Sequence, residues 1–193
     1  MYIAQDRFCY LEELTTENDK ELFELMKNNK DEYRFLVSDE PVPETYEEFQ
    51  KRLDTWFTHG RNYQFLVKKK DKTVGTIFFY ELDPENKSVK LSVYFIPEVR
   101  KTPLIGEALG LILNFALKIL KLEKVEFSVY KENLEMLKIL EKEREFKKYF
   151  NKIGEAQSRV NPERTIINFE ISLNHLKEIN EKLKEFYKEK RRF

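Results

Sequence analysis

Apolar positions along the chain alternate between two periods, and the switches mark its elements. Phe8–Leu14 reads as an opening strand. Leu22, Phe23, Leu25 and Met26 then recur at helical spacing. Thr16 is the expected cap of that helix, with Glu17 and Asp19 in a first turn that favours carboxylates. Pro41-Val42-Pro43 breaks the pattern. Thr45 and Glu48 then form a capping box ahead of the stripe Phe49, Leu53, Trp56 and Phe57, and Gly60 offers a C-cap. Three strands follow, Tyr63–Lys68, Thr73–Leu82 and Val89–Ile96, punctuated by Lys70-Asp71-Lys72 and Asp83-Pro84-Glu85-Asn86. They predict an antiparallel meander.

Beyond Pro97 the order changes. A loop, residues 97–106, leads into a long helix reaching about Lys121, with Ala108, Leu111, Ile112, Phe115, Ala116 and Ile119 as its stripe. Val125–Tyr130 is a strand, Asn133–Arg144 a helix, and Lys147–Leu173 holds two strands around Phe150 and Ile166–Ile171. Strand, loop, helix, strand is a βαβ crossover, which places a parallel pair inside a mixed sheet. The expected fold is α/β (α+β): a mixed, mostly antiparallel central sheet flanked by helices. Residues 1–173 form the expected domain. Residues 174–193 are an added C-terminal helix with Leu176, Ile179, Leu183 and Phe186 on one side, packed on the domain or on a partner such as a second copy.

Composition narrows the function. The 35 basic and 35 acidic residues cancel, which argues against electrostatically driven nucleic-acid binding. Charged residues reach 36%, mostly Lys and Glu, a bias found in proteins from hot environments. The single cysteine, Cys9, cannot form an internal disulfide and reads as a small buried hydrophobe. No signal-like segment or membrane span is predicted, so the expected location is the cytoplasm. No cluster of His, Cys and carboxylates has metal-ligand spacing. His59 and His175 read as surface or capping residues.

Ligands of βαβ units collect at the loop between strand and helix, where helix amides point outward. Here that loop joins Arg100, Lys101 and Thr102 to a helix start, a credible cradle for a diphosphate. The same residues also fit a solvated cation pair beside an ordinary Thr-Pro helix start.

Pro97-Glu98-Val99-Arg100, with Gly106-Glu107-Ala108-Leu109, resembles motif A of the GCN5-related N-acetyltransferase (GNAT) family. Asn133, Glu141-Lys142 and Phe146 resemble the segment after it, and the set is similar to the branch of ribosomal-protein N-terminal acetyltransferases. The resemblance implies acetyl-CoA as co-substrate and direct transfer of acetyl to an amine that it leaves unidentified. It implies a pyrophosphate on the backbone of Lys101, Thr102, Leu104, Ile105 and Gly106, beside Arg100. It implies a pantetheine arm paired with Phe95 and Ile96, splaying that strand from Phe127–Tyr130, and a further contact from Asn133.

The chain departs from the family at several positions. Pro103 and Ile105 replace small loop residues, and proline removes one N–H. Leu140 and Met136 stand where many relatives carry a Tyr or Ser that protonates the leaving thiolate, and Lys90 stands where many carry Glu. Acid and base are then sought among Tyr80, Glu81, Ser92, Tyr94 and Tyr130, with Glu81 and Tyr94 as the catalytic candidates. The alternative is a GNAT-fold binding or interaction protein without catalysis. Acceptor choice is expected from Asp39, Glu40, Arg61, Glu155 and Arg159.

Overall fold

A computed structural model describes residues 2–5, 8–30, 42–58, 62–142, 148–159, 161–179 and 181. Among these residues the strands are β1 (Tyr2–Gln5), β2 (Tyr10–Glu13), β3 (Tyr63–Lys69), β4 (Lys72–Asp83), β5 (Ser88–Phe95), β6 (Lys124–Tyr130), β7 (Phe150–Gln157) and β8 (Thr165–Ser172). The α-helices among the described residues are α1 (Asp19–Lys27), α2 (Tyr46–Thr58), α3 (Pro103–Lys118) and α4 (Leu134–Lys142). One sheet runs in the order β1-β2-β3-β4-β5-β6-β8-β7. The β5–β6 pair is parallel and every other pair is antiparallel. The mixed α/β architecture expected from the sequence is therefore the observed one.

Local chemistry explains most boundaries. Thr45 and Glu48 exchange the bonds of a capping box, with Glu48 N–H donating to Thr45 Oγ1 at 3.2 Å and Thr45 N–H to Glu48 Oε2 at 3.4 Å. Asp83 Oδ1 accepts the amides of Glu85 and Asn86, each at 3.0 Å, and turns β4 into β5. Helix α3 ends at Lys118, before the expected Lys121, because Lys121 takes a left-handed conformation (φ 57°) that closes the C-terminus. The expected cap at Thr16 is corrected. Helix α1 starts at Asp19, and Asn18 braces the turn instead, accepting Thr15 N–H at 2.8 Å and donating to Glu13 O at 3.0 Å. Strand β1 was not anticipated from the sequence. Gly60 and His59 lie outside the described residues, as do Leu183 and Phe186.

The faces of the sheet differ. Helix α3 covers the face of Tyr63 and Phe65, whose rings meet Phe115 edge-on at 5.7 and 5.4 Å. Through the register, Phe79, Leu91, Val125, Phe127 and Val129 share that face. Leu137 and Leu140 of α4 close on Val129, Ile167 and Phe169 there. On the opposite face, Glu21 of α1 binds Lys68 and Thr73. Lys68 is only 5% exposed and also lies 3.5 Å from Glu12, so its charge is doubly compensated. Between α1 and α2, Tyr46 stacks on Phe49, and the Phe23 ring packs against both at a tilt. Cys9 is buried, with Sγ 3.8 Å from Leu104 O.

The start of the C-terminal segment belongs to the main core, since Leu176 and Ile179 are 4% and 1% exposed within it. Replacing Ile179 by Ala is expected to cost about 2–5 kcal/mol in a denaturant titration. Replacing Leu134, 73% exposed, is expected to stay within about 0.5 kcal/mol.

Candidate active site

The sheet is continuous except between β5 and β6. Their parallel pairing covers Ser88, Val89 and Lys90 against Lys124, Val125 and Glu126, and stops there. Both strands continue, β5 to Phe95 and β6 to Tyr130, so a slot opens between them. Each strand is held on its far side, β5 by β4 as far as Phe95 and β6 by β8 as far as Tyr130. Ile96 N–H donates to Val74 O at 3.0 Å across β4. Backbone groups alternate sides along a strand, so those of Val93 and Phe95 point into the slot. The side chains of β5 are tightly backed: a Cβ on Gly75 would lie 2.5 Å from Tyr94 O and 2.8 Å from the Phe95 ring.

The expected phosphate loop follows directly. Pro97–Val99 forms a 3-10 turn, Thr102 takes the N-cap backbone of α3, and Pro103 is its first residue. Thr102 N–H donates to Val99 O at 3.0 Å and its Oγ1 donates to the same oxygen at 2.8 Å. Thr102 therefore uses both donors inside the loop, and Pro103 has none. Helix geometry leaves the amides of Leu104 and Ile105 as the outward first-turn donors, while Gly106 begins the intrahelical ladder. Arg100 folds back: Nε donates to Phe95 O at 3.0 Å, and the guanidinium lies 5.9 Å from the Tyr94 ring centroid. Lys101 is exposed. Arg100 thus ties the loop to β5 at the mouth of the slot, an arrangement with no signal in the sequence. A cleft of about 650 Å³ between α1 and the β3–β4 turn reaches Ile96 and Glu98, beside this loop.

Asn133 is at the opposite rim. Its Oδ1 accepts Met136 N–H at 3.2 Å, capping α4. The remaining amide group is chemically able to donate to a ligand. Leu140 is buried among apolar neighbours, and Met136 packs on the same cluster.

Charge gathers where the slot begins, on the face opposite α3 and α4. Lys90 stands level with Tyr80 on β4 and Glu126 on β6, and Glu126 stands level with Glu170 on β8. Glu81 occupies a bulge of β4 at φ 51°, and its carboxylate is held by Lys90 Nζ. Lys124 Nζ lies 3.3 Å from Glu170. Burial, then the Glu81 charge, pushes the Tyr80 phenol up to about 12. Next along the same face come Ser92, and Ser128, whose Oγ donates to Asn168 Oδ1 at 2.6 Å. Tyr130 is fully buried, its ring covered by the Arg164 guanidinium 3.4 Å from the centroid. That contact seats the β7–β8 hairpin beside the slot, with Glu155 and Arg159 exposed on it. Asp39, Glu40 and Arg61 lie outside the described residues. His175 is exposed, 3.7 Å from Glu178 Oε2. Among the described residues no three His, Cys, Asp or Glu side chains are grouped to hold a metal, and no helix is long and apolar enough to cross a membrane.

A mixed sheet parted between two parallel strands, with a helix N-terminus at the open end, is the architecture of acyl-CoA-dependent transferases of the acetyltransferase (GNAT) domain type. Residues 9–143 match the model of that domain, and the chain belongs to the GNAT family. A GCN5-related N-acetyltransferase from Brucella melitensis superposes with a TM-score of 0.73 at 21% identity, covering 98% of this chain and 84% of its own. Spermidine N-acetyltransferase from Vibrio cholerae, in complex with CoA and spermine, gives 0.72 at 15% identity, covering 89% and 99%. A dodecameric structure of spermidine N-acetyltransferase from Vibrio cholerae gives 0.68 at 16% identity, covering 88% and 96%. No curated protein sequence matches the chain.

Two outcomes follow from the geometry. Asn133→Ala removes the cap of α4 and is expected to cost about 1 kcal/mol in thermal unfolding. An alkaline spectrophotometric titration is expected to show a phenol ionising late, near 12, and to lose it in Tyr80→Phe.

Proposed function

We propose that the protein transfers the acetyl group of acetyl-CoA directly to a primary amine, in the cytoplasm, with the slot between β5 and β6 holding the pantetheine arm. The observation that carries this reading is the end of β5–β6 pairing at Lys90 and Glu126, which leaves the backbone groups of Val93 and the N–H of Phe95 facing the gap, the Phe95 carbonyl being held by Arg100. An extended amide-bearing arm satisfies such groups as a missing strand would. In this reading the amides of Leu104 and Ile105, with Lys101 and the guanidinium of Arg100, meet the pyrophosphate at the positive end of α3. Ile96 and Gly106 flank it, and the Asn133 amide faces the arm. Thr102 contributes loop shape. Tyr94, a catalytic candidate by residue type, lies beside Arg100 near the mouth of the slot, and Glu81 is paired with Lys90 where the slot begins.

The acceptor is a small amine, an amino sugar or a protein N-terminus, the last being the acceptor of the branch the sequence resembles. Assembly of several copies is part of the proposal, supported by the dodecameric neighbour. A second reading, a GNAT-fold binder without catalysis, is favoured by the apolar burial of Leu140 and the packing of Met136.

The test is a melting curve with and without acetyl-CoA, followed by CoA release with spermidine, glucosamine and an alanine-initiated peptide. At 100 times its dissociation constant, acetyl-CoA is expected to stabilise the fold by about 2.7 kcal/mol. Lys101→Glu is expected to weaken binding about tenfold, the loss of one charged hydrogen bond. Binding with no CoA release on any of the three amines would select the second reading. Absence of binding would remove the first.

A further inference from the structure

We propose that Glu126 is the carboxylate that holds the acceptor amine and takes its proton. The inference rests on the acetyl-transfer reading and deepens it. Helices α3 and α4 cover one face of the parted strands, through Phe115 on Phe65 and Leu137 and Leu140 beside Val129. An acceptor therefore reaches the slot from the other face, where Ser92, Ser128 and Asn168 are half-buried.

That face carries a row of charges at the depth where the slot begins. Reading across it, Glu81 is bound to Lys90, and Lys124 to Glu170. Glu126 lies between these two pairs, level with Lys90 on one side and Glu170 on the other, and its carboxylate joins no ion pair among the described residues. It is half-buried and is the last residue of β6 that pairs with β5. The neighbouring cations are already engaged, so the carboxylate with attraction to spare is Glu126. Three carboxylates against two ammonium groups leave the row with one surplus negative charge, which an incoming cationic amine balances. Tyr80, beside Lys90, is a neutral donor that adds no charge.

The chemistry balances with this one group. The acceptor arrives as an ammonium ion, and one proton passes from its nitrogen to the Glu126 carboxylate. The freed lone pair attacks the thioester carbonyl, and a nitrogen–carbon bond forms as the carbon–sulfur bond breaks. The surplus proton left on nitrogen goes through water to the departing sulfur, and Glu126 returns its own proton to solvent. The sum is one amide, one thiol and one released proton.

Glu126→Gln and Glu126→Asp test this assignment, with acetyl-CoA binding and CoA release measured on the best of the three amines across pH. The Gln variant is expected to lose about 100-fold or more in kcat/KM. Its acetyl-CoA dissociation constant is expected to stay within about twofold, as binding in the slot does not use this carboxylate. The pH profile discriminates further. With a proton acceptor in place kcat/KM is level over the neutral range, whereas in the Gln variant it rises about tenfold per pH unit, following the free amine. The Asp variant is expected to recover part of the rate. Unchanged kcat/KM and profile in the Gln variant overturn the assignment and leave acetyl transfer standing. Parallel loss of acetyl-CoA binding in both variants shows a structural role and also overturns it. Wild-type protein that releases no CoA overturns the assignment together with the function it rests on.

Discussion

The parting of β5 from β6 is the constraint on which the rest of the molecule depends. A parallel pair is stable when its amides and carbonyls are satisfied on both edges. Here pairing ends at Lys90 and Glu126 while both strands run on. Separation is maintained from outside: β4 holds β5 as far as Phe95, and β8 holds β6 as far as Tyr130. Gly75 lets β4 approach β5 closely at Tyr94, a distance that any side chain would increase. Arg100 takes up the Phe95 carbonyl and anchors the loop that begins α3. The slot is thus a product of the whole sheet.

The two faces of that slot do different work. On the helical face, apolar packing of Phe115, Leu137 and Leu140 excludes water and fixes the strand positions. On the other face, two ion pairs, Glu81 with Lys90 and Lys124 with Glu170, flank the carboxylate of Glu126 across four strands. Such a row costs little at half-buried positions because each ammonium has a carboxylate beside it. One carboxylate in excess gives the row a preference for cations. The bulge at Glu81 bends β4 and brings its carboxylate onto Lys90, so the residue best suited by type to act as a base is committed to an ion pair.

Much of the fold was legible because its signals are local. Thr45 and Glu48 announce α2 three residues apart, and Asp83 announces its turn by composition. The meander followed by a βαβ unit was readable from order alone, and with it a loop after Pro97, although the helix begins at Pro103 and not after Gly106 as expected. What escaped is long-range or geometric. Four-residue β1 carries too little pattern to stand out. Asn18 displaced Thr16 because its side chain reaches back to Glu13 O, a bond set by how β2 enters the helix. The inward turn of Arg100 depends on where the Phe95 carbonyl lies. Glu126 looks like any polar residue in a strand, and its importance arises from register with Lys90 and Glu170, residues 36 and 44 positions away.

Amide hydrogen exchange at Val93 and Phe95, with and without acetyl-CoA, reports whether the acyl donor lies between the parted strands. Both amides point into the slot, so saturating acetyl-CoA is predicted to slow their exchange, together with Leu104 and Ile105 at the start of α3. Saturable binding that leaves Val93 and Phe95 unprotected would contradict the account, because the parted strands would then not be where the acyl donor lies.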